Sequence, residues 1–552
     1  MTAGAFAVLI AAAPAGPAAA GEGEVEASAL GRYLAGRAAR RDGDTAAAAD
    51  FLGRALAGDP ANEELQLEAL AALVADGRLE SGLKLAAEIR RRDPDHGLSN
   101  IVMAVAAARR GDFEAAGEHA GAAFGQGVDG VAVPFVQAWA QAGNDRFEAA
   151  AESLSGLAGR TALTGLGRYH GALMDDLAAN REPAEAAYQA LIDGDEARGQ
   201  ARWYLAYGNF LERGGRADEA VELYRRALAQ DPDDAVMARA AAAAEEARVP
   251  EPFVADARAG LAEALLGVAD ALWRDGKLEA ATIYARLAGF LRPDFAAAQI
   301  LLGRVLEWRR HWQDAIAAYE RVAPTSPYAW EARLRTATNL RRLERHDEAV
   351  AMLQAMADAA QERTDALVAL GDLYRSRERW LDAVAQYDRA VARAQEQASW
   401  SLLYVRGIAL ERAKQWDRAE ADFLRALDLR PDDPLLLNYL GYSWVEQGRH
   451  LDRAREMIEK AVGQRPVDGY IVDSMGWVLY RLGDFEGAVA QLERAVELRP
   501  QDPVINDHLG DAYWRVGRRL EAKFQWRRAL TFAPEEELVP KIRRKLDEGL
   551  ER

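Results

Sequence analysis

A period of about 34 residues is the feature that most constrains how this chain of 552 residues folds. Three residue types keep the period near the C-terminus, each recurring in steps of 34 or 35 residues. Their positions are Gly407, Gly441, Gly476 and Gly510, then Ala419, Ala454, Ala488 and Ala522, and then Pro431, Pro466, Pro500 and Pro534. Because three chemically different residues share one register, the chain is predicted to be an array of repeated structural units.

Each recurring residue has a physical role in a pair of packed helices. Glycine lies within an apolar-periodic segment, where the lack of a side chain lets a second helix approach closely. Alanine has the same role on that second helix. Proline lacks an N–H group and has a fixed φ angle, so it stops a helix from continuing. The predicted unit is therefore a helix, a tight turn and an antiparallel helix.

The unit around Gly476 shows the whole pattern. Its slots are filled by Met475, Gly476, Leu479, Ala488, Leu492, Ala495 and Pro500. This order of residues resembles the tetratricopeptide repeat (TPR). The resemblance implies an all-α fold, a right-handed superhelical solenoid of antiparallel helix pairs. The register extends backwards over most of the chain and gives roughly fourteen units in two halves.

The register breaks once, between Ala220 and Ala281, in an interval that contains the Ala-rich sequence "ARAAAAAEEARVPEP". An extra helix followed by prolines would explain the break. The expected segments are a signal peptide at 1–20, an N-terminal solenoid with degenerate units at 28–235, an Ala-rich helix and proline-containing joint at 236–258, a C-terminal solenoid at 259–534 and a capping helix at 535–552.

The N-terminal residues are expected to act as a secretory signal. The sequence "GAFAVLIAAAPAGPAAA" has a short apolar run and then a small-residue cleavage site that ends at Ala20. Its basic n-region is weak, because Thr, Ala and Gly follow Met1. This interpretation predicts a periplasmic or envelope-associated protein, with a cytoplasmic protein as the alternative. No transmembrane segment is expected, and no lipid anchor on cysteine, because the chain has no cysteine.

Composition argues against several classes of function. A formal net charge of −18 does not suit nucleic acid, whose binding depends on clustered Lys and Arg. None of the seven histidines has a metal-ligand spacing with a third ligand nearby, and no nucleophile is placed with a base. We therefore expect a protein that is not an enzyme, with no catalytic residues, no cofactor and no metal.

Candidate binding residues follow from the repeat, because the first helix of each unit lines the concave groove of a solenoid. Positions off the glycine-bearing side in the last three units give Asn438, Tyr442, Tyr470, Asp473, Trp477, Tyr480, Asp507, Asp511 and Trp514. The set is aromatic and acidic with one amide, which favours an extended partner segment with apolar side chains and Lys or Arg. The alternative is that Trp477, Tyr480 and Trp514 fill space between neighbouring units.

Residues 400–534, with "LNYLGYSWVEQG" and "DGYIVDSMGWVLYRLGDFEGAVAQLERAVEL", resemble a group of bacterial envelope TPR proteins. That group includes an outer-membrane lipoprotein adaptor that brings a carboxyl-terminal processing protease to cell-wall hydrolases. The resemblance implies a scaffold or adaptor that recruits a protease or cell-wall enzyme, although this chain lacks the lipidated cysteine. A cytoplasmic regulatory or co-chaperone-like scaffold and a subunit of an enzyme complex are the alternatives.

Overall fold

The computed structural model describes residues 28–123, 129–157, 161–194, 197–231, 234–246 and 248–550. Within these ranges the regular structure is helical and contains no β-strand, which confirms the all-α fold class. Short 3-10 turns lie at Asp129–Val131 and Gln395–Gln397. The predicted signal peptide at 1–20 lies outside the described residues. Of the helices described, none has both the length and the apolarity needed to cross a bilayer.

The first thirteen α-helices precede the predicted joint or lie within it. They are α1 (Ala29–Asp42), α2 (Thr45–Gly58), α3 (Glu63–Asp76), α4 (Leu79–Arg92), α5 (Gly97–Arg109), α6 (Phe113–Ala122), α7 (Val133–Gly143), α8 (Phe147–Ser155), α9 (Thr161–Leu177), α10 (Arg181–Ile192), α11 (Ala201–Arg213), α12 (Ala217–Leu228) and α13 (Ala235–Glu245). The Ala-rich sequence that breaks the repeat register forms α13.

The next nine α-helices run from the end of the predicted joint to the start of the region that resembles envelope proteins. They are α14 (Ala257–Arg274), α15 (Leu278–Leu291), α16 (Ala296–Trp308), α17 (Trp312–Tyr319), α18 (Ala329–Arg342), α19 (His346–Ala359), α20 (Asp365–Arg375), α21 (Trp380–Ala394) and α22 (Trp400–Arg412).

The last eight are α23 (Trp416–Leu429), α24 (Pro434–Glu446), α25 (Leu451–Gln464), α26 (Gly469–Leu482), α27 (Phe485–Leu498), α28 (Pro503–Arg515), α29 (Arg519–Thr531) and α30 (Leu538–Glu548). Taken two by two along the described chain, the helices form fourteen pairs and leave α13 and α30 single. This number agrees with the repeat count. The single helix α30 lies where a capping helix is expected.

The turn between α26 and α27 shows how the sequence makes a helix pair. Gly483 adopts a φ of +86°, a left-handed conformation that side chains disfavour, and ends α26. The N–H of the next residue, Asp484, donates to the Leu479 carbonyl at 3.0 Å. The Asp484 carboxylate then accepts from the Gly487 N–H at 2.9 Å and starts α27. Two adjacent residues therefore end one helix and begin the next.

In the eight described pairs whose first helix carries the periodic glycine, that glycine lets the second helix approach closely. A Cβ at Gly476 would lie 2.5 Å from Leu492 Cγ, and one at Gly407 would lie 2.6 Å from Phe423 Cε1. Both facing side chains are fully buried. The periodic alanines, Ala488 among them, are also fully buried on the second helices. The 34-residue spacing of glycine and alanine therefore marks the residues at which paired helices touch.

We predict that Gly476→Ala destabilises the protein by about 1–3 kcal/mol, because the new methyl group would overlap Leu492 in a packed core. Gly463→Ala is the matched control, since Gly463 lies near the end of α25 with open space around it. There alanine should stabilise the helix by up to about 1 kcal/mol. Chemical denaturation measures both changes, and equal effects would contradict this account of the period.

The structure divides into two compact units, unit 1 up to Asn339 and unit 2 from Leu340. The segment 236–258, expected as a joint between halves, lies inside unit 1. The helix after it, α14, packs against α7 and α9, and α15 packs against α3 and α5. These partners are first helices of their pairs. Unit 1 therefore covers part of its own concave side with later helices of the same unit.

Two arginine side chains reinforce this helix packing. Arg40 at the end of α1 makes a bidentate contact with Glu279 on α15, at 2.8 and 2.9 Å, and also contacts Glu68 on α3 at 2.8 Å. Nearby, Arg286 Nε donates to the Ala75 carbonyl at 3.2 Å. The contacts of Arg40 with Glu279 and of Arg286 with Ala75 join residues more than two hundred positions apart in the sequence.

Candidate partner-binding cleft

A cleft of about 480 Å³ crosses the first helices of four successive pairs in unit 2. Glu411 and Arg412 come from the end of α22, and α24 contributes a central wall. Residues from α26 and from the start of α28 complete the cleft. It lies on the face that the repeat pattern assigns to the groove.

Three exposed apolar side chains hold equivalent positions on α24, α26 and α28, and two of them, Tyr470 and Val504, line the cleft. We name the three the apolar lip: Leu435, Tyr470 and Val504. They are 38%, 51% and 38% exposed and occupy the same place in the first turns of α24, α26 and α28. An aspartate caps each of these helices by accepting from the N–H of the lip residue, at 2.9–3.1 Å. The repeated cap therefore places the three side chains in a row.

Asn438 and Tyr442 form the wall that α24 contributes. Asn438 is half-buried, and its Oδ1 is a buried acceptor without a hydrogen-bond partner. Burial and the nearby Glu446 carboxylate raise the pKa of Tyr442 above its ordinary range, so its hydroxyl stays protonated. The wall thus offers one unused acceptor and one phenol.

The lining is acidic, with four carboxylates from Glu411, Glu446, Asp473 and Asp502 and one guanidinium from Arg412. Glu446 accepts from the Trp477 indole N–H, and Asp502 accepts from backbone N–H groups of α28. These donors are neutral, so they satisfy hydrogen bonds without neutralising the charge. Glu411 lies 3.7 Å from the Arg412 guanidinium and Asp473 contacts His508, so Glu446 and Asp502 are the carboxylates that give the cleft its negative charge beside the apolar lip.

Trp477 and Tyr480 lie beside the cleft and contact three helices. The Trp477 ring stacks between Tyr480, at 4.8 Å, and His508 on α28, at 4.1 Å between ring centroids. The Tyr480 hydroxyl accepts from Arg515 Nε at 3.2 Å. Both aromatic side chains therefore link α26 to its neighbours.

Asp473 is buried at the cleft floor and is held by His508, whose Nδ1 lies 3.0 Å from Asp473 Oδ1. Burial by itself lowers the pKa of His508. The carboxylates of Asp473, Asp507 and Asp511 raise that pKa by more, so it ends above its ordinary value. When His508 is protonated, an ion pair therefore joins α26 to α28.

Asp507, Asp511 and Trp514 lie under α30 and do not line the cleft. Lys545 Nζ lies 2.8 Å from Asp507 Oδ2 and 2.7 Å from Asp511 Oδ2. Asp511 also accepts from the Trp526 indole N–H at 2.9 Å. Burial, and next the Asp507 carboxylate, raise the pKa of Asp511 to about 6. Gly549 lies so close to Trp514 that a Cβ there would overlap the ring.

The structure thus brings four of the nine predicted groove residues into the cleft lining: Asn438, Tyr442, Tyr470 and Asp473. Sequence reasoning missed Glu411, although the same spacing rule, taken one unit further back from Gly407, points to it. It also missed Arg412 and Glu446, which lie one position beyond the groove-facing slots. Both are the last residues of their helices.

We predict that His508→Gln lowers the free energy of unfolding most at acidic pH. A raised histidine pKa stabilises the folded state below the unfolded value of about 6.5 and loses this effect as the pH rises through the folded pKa. The charged groups around it are Asp473 on α26, Asp507 and Asp511 on α28 and Lys545 on α30.

The measurement is chemical denaturation of wild type and His508→Gln from pH 5.5 to pH 8.5. The difference in free energy of unfolding between the two proteins should become smaller as the pH rises from 5.5 to 8.5. A constant difference would mean that His508 contributes by packing alone.

Family models of the tetratricopeptide repeat match several stretches of the chain. The matched residues are 201–244, 334–399, 368–434, 404–469 and 476–517. A TPR repeat-containing protein of Pseudomonas aeruginosa is 31% identical over 197 residues, which is 35% of this chain and 32% of that relative. The match thus spans about a third of the relative's length. Tetratricopeptide repeats are therefore confirmed over residues 201–244, 334–469 and 476–517, as the sequence predicts.

Solved structures give a weaker likeness. A chain of the APC/C hetero-tetramer Cut9–Hcn1 aligns with 94% of this chain and 96% of its own length, at 13% identity and a TM-score of 0.39. A tetratricopeptide repeat protein from Parabacteroides merdae aligns with 52% of this chain and 97% of its own, at 15% identity and a TM-score of 0.35. The repeat assignment therefore stands on the helix pairs and the family models.

Proposed function

We propose that this protein is an interaction scaffold whose cleft in unit 2 holds an extended, cation-bearing segment of a partner protein. The observation that carries the proposal is the cleft itself, where a row of exposed apolar side chains adjoins an acidic lining. Repeat proteins present such surfaces on the concave side of stacked units. A scaffold of this kind performs no chemistry of its own.

Each wall of the cleft suits a different part of an extended segment. The apolar lip provides about one contact per helix pair for side chains on one side of the segment. The half-buried Asn438 side chain lines the cleft, where its amide group can hydrogen-bond to the backbone of the segment. Glu446 and Asp502 would attract a Lys or Arg side chain of the segment and so fix the position of the segment along the cleft.

We also propose that the protein acts in the cell envelope and recruits a protease or cell-wall enzyme there. The apolar N-terminal run with its small-residue site and the resemblance of residues 400–534 to envelope adaptors support this proposal. N-terminal sequencing of the protein from its native host tests the location. Cleavage after Ala20 is the expected result, and an intact N-terminus in the cytoplasmic fraction would contradict it.

The binding proposal predicts which peptides the cleft selects and which variants lose them. Selection from a displayed library of random peptides should enrich sequences with Lys or Arg beside aliphatic or aromatic residues. A labelled peptide made to the selected sequence should bind Tyr470→Ala and Asn438→Ala roughly tenfold more weakly than wild type, because both substitutions remove contacts inside the cleft. Fluorescence anisotropy measures the affinity.

Two further variants make this test specific. Phe524→Ala is the matched control, since Phe524 is as exposed as Tyr470 but lies on the second helix α29. Its affinity for the peptide should equal that of wild type. Glu446→Gln should weaken binding and reduce its salt dependence. Selected peptides that bind all four variants equally would place the binding surface elsewhere.

A further inference from the structure

We propose that the outward side of α29 docks on an anionic membrane surface. The inner side of this second helix packs on α28 through buried residues such as Ala522 and Trp526. The outward side is separate from the cleft, so the inference goes beyond the proposed function. We name it the α29 face and define it by residues that share one side of the helix: Leu520, Lys523, Phe524, Arg527 and Arg528.

The α29 face exposes two large apolar side chains one helical turn apart. Leu520 is 83% exposed and Phe524 is 57% exposed. Arg528 follows after one further turn. Its guanidinium carbon lies 5.9 Å from the centroid of the Phe524 ring and 5.7 Å from that of Phe532. An apolar row with a cation within it therefore runs along the outer side of α29.

Cations border this apolar row on α29. Lys523 and Arg527 lie one turn apart beside Leu520 and Phe524. The single acidic residue of α29, Glu521, accepts from Arg518 Nε at 3.1 Å. In the described part of the chain neither Lys523 nor Arg527 forms an ion pair with a carboxylate. The α29 face is therefore cationic, although the chain has a formal net charge of −18.

The three preceding second helices, α23, α25 and α27, differ from α29 at the same repeat positions. The position of Leu520 lies two residues before the periodic alanine. In those helices it is acidic: Asp417, Asp452 and Glu486. The position of Arg527 is also acidic in α25 and α27: Glu459 and Glu493. Stacking of the repeats therefore does not require a leucine or an arginine at these positions, and the α29 face calls for another explanation.

An anionic lipid surface matches both parts of the α29 face. Leu and Phe side chains enter the boundary between headgroups and acyl chains, and acidic headgroups attract Lys and Arg beside them. The long stems of Lys and Arg lie along apolar surface while their charged ends stay at the headgroups. An acidic protein surface would also attract the cations. It would need pockets matched to two projecting side chains, whereas a bilayer accepts them without a matched shape.

The experiment measures sedimentation of the full chain with lipid vesicles. One set of vesicles contains equal parts of phosphatidylcholine and phosphatidylglycerol, and the other contains phosphatidylcholine alone. Leu520→Glu gives α29 the residue type that α27 has at this position. A double variant, Lys523→Gln with Arg527→Gln, removes two cations. The apolar N-terminal run is present in every variant, so differences between variants arise from α29.

Leu381→Glu is the matched control. Leu381 on α21 also lies two residues before a periodic alanine and is 66% exposed. The residues of α21 that correspond to Phe524 and Arg527 are Ala385 and Asp388. The control therefore makes the same substitution at the same repeat position, without a second large apolar side chain and with an acid in place of the cation.

Wild type and Leu381→Glu should bind the anionic vesicles equally, whereas Leu520→Glu and the double variant should bind at least about tenfold more weakly. Hydrogen exchange should slow in α29 on anionic vesicles and stay unchanged in α21. Equal binding by all four chains would overturn the inference. Absence of wild-type binding would also overturn it, in favour of an acidic protein partner. Peptide binding in the cleft tests the proposed function separately, because these variants leave the cleft residues intact.

Discussion

The close approach of two helices at a glycine is the contact that organises eight of the fourteen described helix pairs, among them the four pairs whose first helices line the cleft. At Gly476 the second helix brings the Leu492 side chain into the space that a methyl group would take. The same contact recurs at Gly407 with a phenylalanine and at Gly303 and Gly371 with tyrosines. Because the second helix lies so close, its periodic alanines are buried. The first helix therefore turns the face opposite its glycine away from the second helix. The groove is the outward face of the first helices, so the glycine side of each helix determines where a partner can bind.

Much of this organisation could be predicted from the sequence, because it is periodic. The number of helix pairs, the turn at Gly483 and the groove-facing positions of α24 and α26 all follow from a residue type recurring at a fixed interval. Residues such as Tyr470 could be placed because their side chains point away from the glycine. Periodicity reports on contacts within and between neighbouring units, where the same geometry repeats.

Contacts that occur once leave no periodic signal, and the sequence did not reveal them. Nothing in the sequence around Arg40 or Glu279 indicates that the two side chains meet, since they lie in different repeats far apart in the chain. The contact of Lys545 with Asp507 and Asp511 is of the same kind. Asp507 and Asp511 were predicted to face a partner in the groove, but in the structure a lysine of the same chain contacts both carboxylates. The spacing of residues shows on which face of a helix a side chain lies. It does not show which part of the chain packs against that face.

The closure of unit 1 has a consequence for how the protein unfolds. In an open solenoid each repeat contacts its neighbours alone, so stability adds up along the chain and an end can unravel by itself. Unit 2 has contacts of that nearest-neighbour kind among its described helices. In unit 1 the contacts of α14 and α15 with α3, α5, α7 and α9 tie the first repeats to the later ones. Losing α1 there removes Arg40 from α15 as well, so the ends of unit 1 are thermodynamically coupled, and the unit should melt as one cooperative block.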